Sequence, residues 1–138
     1  MADLTRVKAQ VAIIFPDGNV IRDYVAAVAI EAGQPVYIDS NGKVALADAN
    51  VAAAEHFRGI ALKDVAAGQG LSVLQQGCVS GVGQGVTALA YDAPVYVSDS
   101  VGELADGVGT ATLLVGRVVP IPDKDKTKVL FVTGFSAL

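Results

Sequence analysis

The chain has 138 residues, a length that one domain accommodates, and 52% of them are hydrophobic against 17% charged, which excludes a disordered chain. A formal charge of −4 and a pI near 4.7 leave no basic footprint for DNA or RNA, whose phosphates must be neutralised by clustered Lys and Arg. The mean hydropathy of +0.49 is high, but the longest unbroken apolar run, 24–30, falls far short of the ~20 residues that a membrane-spanning helix needs. A soluble chain with no membrane partner is therefore expected. Residues 1–6 lack the basic-then-apolar layout of a signal peptide, and the single Cys78 has no internal disulfide partner, so a reducing intracellular site of synthesis fits. With 6% aromatic residues and no Trp, the apolar content is mostly Val, Ala, Leu and Ile, a surplus that often ends in subunit interfaces.

In chain order the pattern is one of short strands punctuated by turns. Residues 7–15 alternate with a period of two, Val7, Ala9, Val11, Ile13 and Phe15 on one face, and predict a strand or extended arm. Pro16-Asp17-Gly18-Asn19 has the composition of a tight turn, so 1–19 is read as an N-terminal arm and turn ahead of a single β-domain over 20–138. Residues 20–30 resume extended structure, with Ala26, Ala27 and Ala29 leaving a short helix open. Segments 35–38 and 43–46 flank Asp39-Ser40-Asn41-Gly42, and Asn-Gly is the strongest short-range hairpin signal. Residues 48–55 form the one helix expected, two turns at most, with Asp48 or Asn50 as N-cap. Further strands are predicted at 57–63, 71–75, 86–91, 94–97, 112–119 and 128–133, separated by Gly, Pro or Asp-rich joints. The fold class is mainly β, a small barrel or sandwich with at most one short helix.

The sequence echoes itself. Pro35-Val36-Tyr37 and the turn after it reappear as Pro94-Val95-Tyr96 and its turn, and each copy is followed by a strand-borne glycine, Gly59 and Gly116. Two copies are too few for a solenoid but suit two related hairpin units in one barrel.

Catalysis by metal or nucleophile needs convergent polar groups, and the inventory holds one His, one Cys and acids placed mostly at turns. His56 has no second His or Cys at ligand spacing and reads as a solvated or helix-terminal residue. Cys78 has no neighbouring base and reads as a small apolar side chain within a strand. Gly81-Val82-Gly83-Gln84-Gly85 lacks the spacing of a dinucleotide loop, and Gly42-Lys43-Val44 lacks the hydroxyl of a phosphate loop. The run Asp123-Lys124-Asp125-Lys126-Thr127-Lys128 alternates in sign and reads as a solvated loop. No enzyme activity, metal or cofactor is expected.

The order Gly33-Gln34-Pro35-Val36-Tyr37, Phe57-Arg58-Gly59-Ile60-Ala61, Gly68-Gln69-Gly70, Leu74-Gln75-Gln76-Gly77-Cys78-Val79, Ala93-Pro94-Val95-Tyr96-Val97 and Leu114-Val115-Gly116-Arg117-Val118 resembles the tailed-bacteriophage capsid decoration, or cement, proteins. The resemblance covers roughly residues 30–134 and rests on glycine-and-strand order, with no catalytic signature. It implies a small β-barrel-like domain on the outer surface of an assembled shell, with the major capsid protein as partner and the virion as location. It also implies self-association, with a trimer ahead of a dimer. Arg6, Val7, Lys8, Val11, Ile13 and Phe15 are the expected partner-binding residues, because an alternating segment with two cations in an acidic protein has what is needed to add to a neighbouring sheet edge. The alternative is a carbohydrate- or receptor-binding β-module, which would have to work with four Tyr and four Phe as its aromatic platform.

Overall fold

The computed structural model describes residues 3–4, 11–13, 20–51, 56–81, 90–120 and 128–132. Ten strands run through them: β1 (Ala12–Ile13), β2 (Val20–Val25), β3 (Pro35–Ile38), β4 (Val44–Leu46), β5 (Gly59–Ala61), β6 (Gly70–Ser80), β7 (Pro94–Val97), β8 (Leu104–Ala105), β9 (Leu114–Pro120) and β10 (Lys128–Val132). They form one curled antiparallel sheet, a half-barrel, in the order β4-β3-β5-β6-β10-β9-β7-β8, with β1 and β2 also paired to β6. The fold is all-β, and no helix occurs among the described residues.

The echo in the sequence is a repeat in space. The path β4-β3-β5-β6 is matched by β8-β7-β9-β10, and the registers correspond up to an irregularity between Val95 and Tyr96 where β7 meets β9. Val36 faces Gly59 as Val95 faces Gly116, and Tyr37 faces Ala45 as Tyr96 faces Ala105. The turns correspond as well. Asp39 Oδ1 accepts the N–H of Asn41, and Ser98 Oγ accepts the N–H of Ser100. Each turn then closes through a glycine at positive φ, Gly42 at 77° and Gly102 at 72°. Asn41 does not share that conformation, so the Asn-Gly hairpin is a longer turn ending in a left-handed glycine rather than a two-residue loop.

At 11 residues β6 is about twice the usual strand length, and it joins the two units. Its first part pairs with β2 and β5 and its last part with β1 and β10. The partner changes at one peptide: pairing with β2 ends at Gln76 and pairing with β10 begins at Gly77. Gly77 sits at φ 139°, a conformation that side chains rarely adopt, so the strand turns from one unit into the other without ending.

Two apolar clusters result. The first lies between the units and holds Phe57, Ile60, Leu74, Val95, Val118 and Leu130. The second covers the opposite face of β3, β4 and β5, where Val36, Val44, Ala61 and Val73 meet Ala26, Ile30 and Val65. The free ends of the sheet path are both covered by backbone. Ala27 N–H donates to Val44 O at 2.8 Å beside β4, and Leu4 N–H donates to Leu104 O at 2.8 Å beside β8. Covering an edge in this way removes a template for aggregation.

Several expected boundaries move. The extended segment from residue 20 stops at Val25 and continues as single bridges at Ala26 and Ile30, with no helix at Ala26 to Ala29. The expected helix over 48–55 begins instead as a turn: Asp48 Oδ1 accepts the N–H of Asn50 at 2.8 Å. The backbone of Ala49 is committed to the second unit, its N–H to Ser98 O and its carbonyl to the N–H of Ala111. Residues 52–55 of that segment lie outside the described residues, as do 16–19 and 86–89. The strand expected at 71–75 extends to Ser80, because Gly77 lets it pass the junction.

Glycines 59 and 116 are required by close approach. A Cβ on Gly116 would overlap the Phe131 carbonyl, and one on Gly59 would meet Val73 Cγ1 and stand 2.7 Å from Leu74 O. Gly42, by contrast, has nothing within 4 Å of its Cβ position. Gly116→Ala is expected to cost about 3 kcal/mol, and Gly42→Ala about 1 kcal/mol from backbone strain alone. Urea unfolding of the two variants checks the order; equal midpoints would mean that β9 and β10 relax apart freely.

Candidate functional site

The partner-binding residues expected from the sequence are divided by the structure. Arg6, Val7, Lys8 and Phe15 lie outside the described residues. Val11 and Ile13 are half-buried, Val11 against the first core cluster and Ile13 opposite Val79 on β6. Ala12 faces Ser80, whose hydroxyl donates to Ala12 O at 3.3 Å. Ahead of them, Leu4 is 4% exposed within the core, and the Asp3 carboxylate accepts a hydrogen bond from Ser98 Oγ. Residues 3–4 and 11–13 therefore attach to the sheet itself, at β8 and its turn and at β6.

The side chains singled out for chemistry are spread over the molecule. His56 is exposed beside buried Phe57. Cys78 is a half-buried free thiol opposite Phe131 on β10, and burial raises its pKa above the ordinary thiol value. Gly81 ends β6 at φ 74°, and residues 82–85 of that glycine-rich stretch lie outside the described residues. Of the charge run only Lys128 is described; its Nζ stands 4.8 Å from the centroid of the Tyr91 ring, a cation–π distance. Nearby, Arg117 Nη1 donates to Asp92 O at 2.9 Å and lies 4.0 Å from its carboxylate. Among the described residues no group of three or more His, Cys, Asp or Glu is placed to hold a metal ion.

The surface feature that sequence reading passed over is β2. Its burial is exposed at five of six positions, with Val20, Ile21 and Val25 each at 40–42%. Among the described residues it pairs with β6 alone, so it is an edge strand with apolar residues on both faces and Arg22-Asp23 at its centre. Ser72 Oγ donates to Asp23 Oδ1 at 2.7 Å, which fixes that carboxylate against β6. An open groove follows, between Tyr24 and Val25 on one side and Asn41, Gly42 and Lys43 of the first hairpin turn on the other. The signal was present in Val20-Ile21-Arg22-Asp23-Tyr24-Val25, where apolar residues fall on both parities and no face is polar throughout.

No family model matches the chain, and no curated protein sequence matches it.

The thiol gives a pH test. A raised pKa means less thiolate at neutral pH, so Cys78 is expected to react with iodoacetamide more slowly than free cysteine at pH 7. Its rate should still be climbing above pH 9, where that of free cysteine is levelling off. A rate at pH 7 equal to or above that of free cysteine, followed by mass spectrometry, would contradict this environment.

Proposed function

We propose that this chain is a structural decoration protein that binds the outer surface of a bacteriophage capsid and stabilises the assembled shell. The observation that carries the reading is the order of its glycine and strand motifs from Gly33 to Val118, which resembles that of the cement proteins. The duplicated all-β unit is in keeping with it, since those motifs fall on matching strands of the two halves. The mechanism is linkage: a protein that binds the assembled lattice in preference to free subunits shifts the assembly equilibrium by mass action. Small contacts repeated over many copies then resist internal pressure.

The reading is tested with purified capsids of the encoding phage that lack this chain. Saturable co-sedimentation with assembled shells, no binding to free capsid subunits, and a higher temperature of shell disruption are expected. Absence of binding, or equal binding to free subunits, would remove the reading. The N-terminal segment is tested separately, because deleting residues 2–15 would also take Leu4 out of the core. The double charge reversal Arg6→Glu, Lys8→Glu spares Leu4, Val11 and Ile13 and is expected to weaken shell binding at least tenfold. Unchanged binding would exclude the segment from the contact.

A further inference from the structure

The open backbone of β2 follows from its hydrogen bonding. Ala26 N–H donates to Gln69 O, so Ala26 turns its backbone toward β6, and by the period of two so do Tyr24 and Arg22. Ser72, opposite Asp23, turns its own carbonyl away from β2, where Leu62 N–H meets it at 3.2 Å. Ile21 and Asp23 therefore present N–H and C=O groups on the edge away from β6. Extended chains add to such an edge by main-chain pairing, and the side chains opposite one another set the choice of partner.

A second copy of β2 is the first partner to consider, and its charges oppose the two registers that pair the strand most fully. Antiparallel pairing places outward-facing residues opposite outward-facing residues, so a two-fold pair of β2 strands centres on a residue facing itself. The two central registers set Arg22 against Arg22 of the other copy, or Asp23 against Asp23. Like charges directly opposite are destabilising, and charged residues on an edge strand are a known protection against self-pairing.

We propose that β2 is a strand-accepting edge for an extended antiparallel segment of another protein, with a basic residue opposite Asp23 and an acidic residue opposite Arg22, and that the same two charges disfavour pairing with its own copy. Antiparallel order makes the partner's motif Lys/Arg followed by Asp/Glu, flanked by apolar residues that meet Val20, Ile21 and Val25. The inference goes beyond the capsid reading and does not depend on it, since it is tested on the protein alone.

The probes are three synthetic 12-residue peptides with identical Val/Thr flanks and a central Lys-Glu, Glu-Lys or Thr-Thr. Binding is followed through the amide signals of the isotope-labelled protein. The Lys-Glu peptide is expected to bind saturably, to shift Ile21 and Asp23 most, and to bind at least tenfold more tightly than Glu-Lys. The double variant Arg22→Glu, Asp23→Lys should reverse that preference. Both side chains are exposed, so the variant keeps the fold, which the dispersion of the same spectrum verifies. Equal affinity for the peptides, shifts centred away from β2, or no saturable binding at millimolar peptide would overturn the strand-accepting assignment. Light scattering tests the bias against self-pairing: Arg22→Thr, Asp23→Thr should gain a larger species by pairing through β2. An unchanged mass would overturn that half of the proposal.

Discussion

One backbone, that of β6, is shared by the two halves of the sheet, and this sharing constrains the rest. An ordinary strand serves one pair of neighbours. Here residues 70–76 carry β2 and β5, and 77–80 carry β1 and β10. The hand-over needs a residue that turns without surrendering its hydrogen bonds, and the φ of 139° at Gly77 meets that need. Because the strand is continuous, the two units cannot slide relative to one another without breaking both sets of registers. The apolar contacts between them, Phe57 and Ile60 from one and Val95 and Val118 from the other, are held at a fixed spacing as a result.

The repeat is close in backbone and divergent in burial. Val36 and Val95 occupy the same place beside Gly59 and Gly116, yet Val36 belongs to the outer cluster and Val95 to the one between the units. Stacking explains the difference: the first unit is buried on both faces, with Ala26, Ile30 and Val65 over one and the second unit over the other. Position 60 shows the same divergence. Ile60 is fully buried opposite Pro35, while its counterpart Arg117, opposite Pro94, reaches solvent and Asp92. The shared glycines persist through these changes because close backbone approach to the next strand, not the environment of the outer face, requires them.

The parts of the fold legible in the sequence are those set by local chemistry. The hairpin about Asn41-Gly42, the paired Pro-Val-Tyr strands and the all-β class follow from turn residues and β-branched runs, which act over a few positions. Cys78 was legible as a strand residue, but the continuity of its strand with 71–75 was not, because Gln76-Gly77 reads as a joint when the long-range partners on either side of it are unknown. Asp48 is a parallel case: its cap-like position before an Ala-rich run looks helical, but the backbone of Ala49 is claimed by Ser98 and Ala111, far along the chain. Of the alternating N-terminal segment only residues 11–13 are described, and the burial of Leu4 ahead of it and the pairing of Ile13 depend on β8 and β6 and have no local signature.

The edges show how the same physics is resolved in different ways. The outer strands β4 and β8 are short, at three and two residues, and each is covered by backbone of its own chain. β2 is longer, at six residues, and carries two opposite charges at its centre. Covering satisfies the open N–H and C=O groups inside the molecule and removes the edge from use. Charge leaves those groups available and only biases what can meet them, because like charges directly opposite one another weaken a pairing that opposite charges strengthen. For an antiparallel partner, an edge with two opposite charges in adjacent positions favours one sequence order, since reversing the partner's charges turns both attractions into repulsions. That asymmetry separates β2 from the other edges of the sheet and makes it the surface of this fold best suited to choosing a partner.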